Sequence, residues 1–330
     1  MNMKQWVADM MAAPVKKPLP VLSFPGLALT GDKVIDAVTN GVKQAAGVVA
    51  IANRYQMAGA VTFMDLSVEA EAFGSTIRFS DDEVPTVTGR ILTSMADVAA
   101  LAIPEVGSAR TGECLKAMRL AKEQIKDRPV FAGHIGPYSL TGRLMDMTEM
   151  MVGMSEDPEM VHAALEKSTQ FLIAYAKKIK ETGCDGILMA EPAAGLISPD
   201  QSAEFSYAYV KRIIDAVQDD NFGIILHNCG NTVGMVRHMA ATGAMGLHFG
   251  NAVDMRLILP QVPSTVLAFG NLDPARIIKN GTPEAIREGV ARLREIGAAY
   301  PNYVVSSGCD IPPGTSFANI DAFFEAAAKT

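Results

Sequence analysis

Short apolar runs rich in β-branched residues alternate, along the whole chain, with longer amphipathic segments. The runs at 19–24, 60–64, 130–133, 186–190, 223–226, 246–249, 265–269 and 303–306 predict strands. Several are continuously apolar rather than alternating, as strands of a parallel sheet covered on both faces are. Between them, helical spacing of apolar positions predicts helices over 32–54, 109–126, 157–182, 198–219, 282–296 and 317–328. Asp157-Pro158, Ser198-Pro199 and Thr282-Pro283 each join a capping side chain to a proline suited to the first turn, and Gly183 ends the 157–182 segment.

These are about eight strand–helix units in series, the count of a (β/α)8 TIM barrel. A doubly wound parallel sheet has the same alternation and is the competing architecture. The 330 residues would suffice for one barrel or for two domains of ~150 residues. No low-complexity tract or Pro/Gly/Ser linker divides them. The expected architecture is therefore α/β: a single TIM barrel over 1–330, with an insertion after the second strand at about residues 66–106 and a hairpin around 77–87. In such a barrel, reactive residues belong just past the C-terminal ends of the strands. Asp65, His134-Ile135-Gly136-Pro137-Tyr138, Glu191, His227-Asn228-Cys229 and Gly308-Cys309-Asp310 all fall at such positions.

Composition narrows the partners. Hydrophobic residues make up 49% of the chain and charged residues 20%, enough for a large core. Lys and Arg total 29 against 36 Asp and Glu, a net charge of −7, and no basic run stands out, which excludes nucleic acid as a first expectation. No stretch reaches the ~20 apolar residues of a membrane span. Residues 1–20 carry scattered charges and no signal-type apolar block, so a cytoplasmic protein is expected. The 19 methionines read as core fillers, with Met145, Met147, Met150, Met151 and Met154 crowding one segment. Four cysteines, Cys114, Cys184, Cys229 and Cys309, are too few for a disulfide framework in so long a chain; each belongs to the core or to chemistry.

Two of the four stand out. His227 and Cys229 end an apolar strand, and in extended backbone residues i and i+2 face the same side. Cys309 ends the last strand, and in a closed barrel both ends would reach the central mouth. His/Cys/Cys is a three-ligand set with one open position, as catalytic zinc uses, and sulfur argues against magnesium or calcium. The alternative is two core thiols and a hydrogen-bonded histidine. Glu191 is a candidate displaceable fourth ligand or proton acceptor, and equally a rim carboxylate. Asp65 follows a strongly apolar strand, where an acid is costly without solvent or a role. His134 and Tyr138 flank a Gly-Pro turn and read as turn residues or ligand contacts. His248 is expected on the rim, His162 and His238 on helix surfaces, and Cys114 and Cys184 in the core.

Taken together, the motifs resemble those of the uroporphyrinogen decarboxylase superfamily, in its methylcobamide:coenzyme M methyltransferase branch. The matching stretches are Phe63-Met64-Asp65-Leu66, Gly136-Pro137-Tyr138-Ser139-Leu140-Thr141-Gly142, His227-Asn228-Cys229-Gly230, Gly270-Asn271-Leu272-Asp273-Pro274 and Gly308-Cys309-Asp310-Ile311-Pro312-Pro313-Gly314-Thr315. They span most of the chain in the family's order. The resemblance implies that His227, Cys229 and Cys309 hold zinc, and that the methyl donor is a methylated corrinoid carried on a separate corrinoid protein. It implies a small thiol such as coenzyme M as acceptor, with Asp65 or Tyr138 orienting the acceptor's polar end. Decarboxylases carry an arginine-bearing motif after the first strand, whereas Phe24-Pro25-Gly26-Leu27-Ala28-Leu29-Thr30 has none. They also carry Gly-His-Gly where this chain has Gly308-Cys309-Asp310. A decarboxylase-like lyase and a non-catalytic barrel that binds a corrinoid protein are the rival readings.

Overall fold

In the computed structural model, which describes residues 1–328, seven strands form one parallel sheet. They are β1 (Ala60–Val61), β4 (Val130–Ile135), β5 (Gly186–Ala190), β6 (Gly223–Asn228), β7 (Gly246–Phe249), β8 (Leu267–Leu272) and β9 (Tyr303–Ser307), hydrogen-bonded in that order. The remaining two, β2 (Thr76–Arg78) and β3 (Thr86–Thr88), form an antiparallel hairpin with Ile77 opposite Val87, at the place expected from sequence.

Continuous apolar runs arise because the sheet is covered twice. Phe131, Leu188, Ile225, Phe269 and Val304 point to an inner core, and their neighbours Val130, Ala132, Ile187, Met189, Ile224, Leu226 and Ala268 point to the outer core under the helices. Side chains alternate across a strand, so a strand apolar on both faces feeds both cores. Residues 18–21 bond to both edges of the sheet. Ala58 N, just before β1, donates to Pro18 O, and Leu19 N donates to Val305 O in β9. The sheet is therefore curled, and the fold is TIM-barrel-like.

The 19–24 run is not a regular strand. Pro18 and Pro20 have no N–H to give to a ladder. After Leu19 the pairing passes to a side chain, with Val21 N donating to Ser307 Oγ at 3.0 Å, and residues 24–26 turn into a short 3₁₀ helix. The expected 32–54 helix is two, Val34–Val38 and Gly41–Arg54, because Asn40 caps the second through Val42 N and Lys43 N. Likewise the 198–219 helix is broken by a wide π turn at Ala203–Tyr207. The Gly-Pro turn opens a helix, Pro137–Met145, that sequence patterning did not mark. A second helix, Met147–Glu156, buries Met150 and Met154 of the methionine cluster. Among the described residues no helix is long and apolar enough to cross a membrane.

An N-terminal helix, Met3–Ala12, also went unmarked. Its Met3, Trp6 and Met10 lie on one face at helical spacing and join the inner core. Trp6 Nε1 donates to Ala58 O at 3.2 Å, and Met3 N donates to Asp220 O, so the helix lies under the N-terminal ends of the strands. This closes the floor and leaves the opposite end for chemistry. Trp6 is the chain's single tryptophan and its ring lies 5.6 Å from that of Phe131. Phe131→Ala is expected to cost about 3–5 kcal/mol in chemical denaturation, and the emission of Trp6 in the folded variant should shift to the red as the floor loosens.

Candidate metal centre

The inner face supplies the first donors. Ile225 is inward in β6, so His227 and then Cys229 continue on that face as the strand ends. Cys309 arrives from the other side, in the turn after β9, where Gly308 N donates to Leu272 O at 2.6 Å. Gly250 lets the loop after β7 close on this spot, since a Cβ there would stand 2.3 Å from Cys229 Cα. The result is one cluster: the donor atoms of His227, Cys229 and Cys309 lie within 4.8 Å of one another.

The cluster's electrostatics suit a cation. A hydrogen bond from Cys309 holds the Cys229 thiol below the usual thiol range, against the effect of burial. The hydrogen bond to Cys229 and burial push the Cys309 thiol well above the usual range. His227 Nε2 is buried and has no hydrogen-bond partner, a costly state for a ring nitrogen unless something else binds it. A free imidazole nitrogen beside two sulfurs fits zinc, and the softness of the sulfurs disfavours magnesium and calcium.

Behind His227 stands His248, its register partner on β7. His227 Nδ1 is 2.7 Å from His248 Nδ1, His248 Nε2 is 2.8 Å from Ser306 Oγ, and Ser306 Oγ donates to Leu19 O at 2.6 Å. His248 is fully buried, not on the rim as its strand-end position suggests, because Leu247 takes the outer face and turns it inward. Burial, and then the neighbouring His227, hold it well below the ordinary histidine range.

The structure does not gather the other candidates around the three donors. Glu191 is fully buried, and its carboxylate accepts from Tyr138 N at 2.9 Å and Ser139 N at 2.6 Å, so it caps the helix Pro137–Met145. Burial pushes it up to about 7 against these bonds. The Tyr138 hydroxyl is buried against Met154 Sδ at 3.2 Å. Asp65 is ion-paired with Arg110 at 2.5 Å and accepts from Ser67, while Arg110 also holds Glu71. His134 lies on the outer face, stacked 5.6 Å from Tyr175, and burial lowers it to about 4. His162 and His238 are half-buried on helices, His162 bonded to Tyr209 at 2.8 Å. Cys114 and Cys184 pack in the core, where burial raises each thiol to about 12.

Two charged residues take places near the centre: Arg143, the one obvious candidate for the barrel-mouth arginine that a decarboxylase-like reading expects, and Glu69, which patterning did not assign. A cavity of about 440 Å³ opens beside Cys229, lined by Ser139, Arg143, Pro192, Leu196 and Gly230 among others. Burial lowers Arg143, while the charges of Asp65 and Glu69 favour its cation. Glu69 is fully buried; Oε1 accepts from Ile135 N at 3.2 Å, and Oε2 has no partner. Its signal in the sequence was a carboxylate on the apolar face of a short helix, inside the stretch expected as an insertion.

Comparison with known proteins gives a consistent picture. The family described as "Uroporphyrinogen decarboxylase (URO-D)" matches residues 27–330. The "Methylcobamide:CoM methyltransferase MtbA" of Methanosarcina acetivorans is 31% identical over 267 residues, covering 80% of this chain and 77% of that protein. A uroporphyrinogen decarboxylase of Ectopseudomonas mendocina is 29% identical over 286 residues, covering 83% and 79%. Among solved structures, a methyltransferase from Methanosarcina mazei superposes with a TM-score of 0.86 at 24% identity, over 99% of this chain and 97% of that one. A B12-independent methionine synthase from Shewanella sp. W3-18-1 reaches 0.60 at 13% identity, over 94% and 96%. At these identities the two structures speak for the fold.

Glu69 yields a pH dependence. Burial raises it to about 7, so between the ordinary carboxyl range and that value the folded chain binds more protons than the unfolded one. Its contribution to stability is complete at acid pH and is lost as pH rises through about 7. The Tm of Glu69→Gln should therefore fall less than that of the unsubstituted protein between about pH 5 and about pH 8. Glu191 titrates in the same window and retains the remainder of the slope.

Proposed function

The chain belongs to the uroporphyrinogen decarboxylase family, and within it we propose a zinc-dependent methyltransferase that moves a methyl group from a methylated corrinoid to a small thiol such as coenzyme M. The corrinoid would arrive on a separate protein docked over the open end of the curled sheet. The observation that carries this reading is the convergence of His227, Cys229 and Cys309, with His227 Nε2 buried and unpartnered. A metal-free decarboxylase has no use for a soft donor set, and the stretch Phe24–Thr30 has no arginine to hold substrate carboxylates. We take residues 19–23 as the eighth stave of a single barrel, the hairpin region 66–106 as its insertion, and the cytoplasm as its compartment.

His227, Cys229 and Cys309 would hold the zinc. When bound, zinc supplies Lewis acidity that lowers the pKa of the acceptor thiol from its ordinary ~8.5. The cavity beside Cys229 seats the acceptor. Pro192 and Leu196 form its apolar wall, and Arg143 faces the acceptor's anionic end. Glu191 works behind that wall: by capping the helix Pro137–Met145 it fixes Ser139 on the cavity lining. Asp65 holds Arg110 and adds to the negative potential that favours the Arg143 cation. In the transfer the acceptor sulfur bonds to the methyl carbon and the carbon–cobalt bond breaks. The bonding pair stays on cobalt, and the thiol proton leaves to solvent.

The purified protein is expected to carry about one zinc per chain, and Cys309→Ala should lose it. With methylcobalamin and a panel of thiols, the native protein should discharge the cobalt–carbon absorbance. A protein without zinc, or a Cys309→Ala variant that keeps its metal, would refute the assignment. Arg143→Ala should raise KM for sulfonate- or carboxylate-bearing thiols by roughly 10-fold or more, the loss of a charge-assisted hydrogen bond. The same variant should leave KM for a neutral thiol unchanged in steady-state assays.

A further inference from the structure

We infer that His248 is a positioning residue that fixes the protonation pattern of His227 through a relay crossing the inside of the curled sheet. This rests on the reading of His227 as a zinc ligand. The relay can be solved from its far end. Leu19 O is a carbonyl and carries no proton, so Ser306 must donate to it across 2.6 Å. The Ser306 hydroxyl has then spent its proton and can only accept from His248 Nε2, 2.8 Å away. A neutral His248 with its proton on Nε2 presents a lone pair at Nδ1. The 2.7 Å contact between the two Nδ1 atoms needs one proton, and His227 must supply it. His227 is thereby left with its lone pair on Nε2, the atom that is buried without a partner beside Cys229 and Cys309.

The relay is mechanically stiff as well as directional. The two imidazoles meet edge-on at 76°, and the His248 ring lies parallel to Phe269, 17° apart in plane. His248 and Ser306 come from β7 and β9, which are not neighbours, since β8 runs between them. The chain of bonds therefore passes through the interior and ends on the 19–23 segment, tying the donor nitrogen to the part of the backbone that lies between the sheet's two edges. A metal ligand whose second nitrogen donates to a fixed acceptor is held in one tautomer and one orientation, and loss of such an acceptor ordinarily costs 10- to 100-fold in metal affinity.

The test is zinc affinity by chelator competition, on full-length protein, for His248→Phe, His248→Asn, Ser306→Ala and the double variant His248→Phe/Ser306→Ala. His248→Phe keeps the ring but removes the acceptor, and should bind zinc about 10- to 100-fold more weakly. His248→Asn restores an acceptor near the Nδ1 position and should recover part of the loss. Ser306→Ala should weaken binding on its own but add nothing to His248→Phe. Zinc affinity of native strength in a folded His248→Phe variant, or additive losses in the double variant, would overturn the proposal. Nitrogen-15 histidine spectra of the unsubstituted metal-free protein give a reading that needs no variant to fold. The proton of His227 should be on Nδ1, and finding it on Nε2 overturns the relay. If the unsubstituted protein binds no zinc, the ligand assignment falls and this inference with it; if it binds zinc and ignores His248, only the inference falls.

Discussion

The architecture turns on the curl of a parallel sheet whose strands lie in register. Cα partners run from Ala190 through His227 and His248 to Phe269 and Val304, one step along each strand. With the sheet curled, alternate residues at this level face a common interior, and whatever the strand ends carry is brought face to face. His227 and Cys229 owe their shared side to the two-residue repeat, and their meeting with Cys309 to the curl. The same geometry puts His248 inward, next to His227, with no choice left to the local sequence.

Buried polar groups in such an interior must be satisfied, and the way they are satisfied separates structural from chemical roles. Glu191 spends both oxygens on the N–H groups that open one helix, and Asp65 on Arg110 and Ser67. Both are carboxylates at strand ends, the positions where a barrel keeps its catalytic residues, yet their partners are groups of the fold itself. His227 differs in one atom. Its Nδ1 has a partner and its Nε2 has none, and the nearest candidates for bonding are two sulfurs. The contrast between these residues carries more chemical information than their shared place at strand ends.

Membership of the uroporphyrinogen decarboxylase family leaves two chemistries open, because relatives named for decarboxylation and for methyl transfer align over similar lengths at similar identity. What distinguishes this chain is local. A cysteine stands in Gly308-Cys309-Asp310, His227 and Cys229 lie opposite it, and no arginine occurs in the stretch after residue 23 where a carboxylate clamp would stand. Function in this fold is a matter of what is mounted on the rim.

Much was legible from sequence because it depends on short-range periodicity. Seven of the eight predicted strands formed, those at 186–190 and 246–249 with the expected ends, the hairpin formed with Ile77 opposite Val87, and the proline-marked helix starts at 158, 199 and 283 hold. Cys114 and Cys184 went to the core as expected, and His227, Cys229 and Cys309 were recognisable as a set from residue type and strand-end position. Some of what failed was local, and some depended on partners distant in the chain. The prolines at 18 and 20 took 19–24 out of the ladder, the strand parity of β7 hid His248, and the role of Glu191 waited on a helix that patterning had read as a turn. Sequence alone determines which side chains share a strand face, since that repeat is intrinsic to extended backbone. Only the tertiary structure decides which faces oppose one another, and so that the unpartnered nitrogen of His227 lies beside two sulfurs, because that depends on how far the sheet curls.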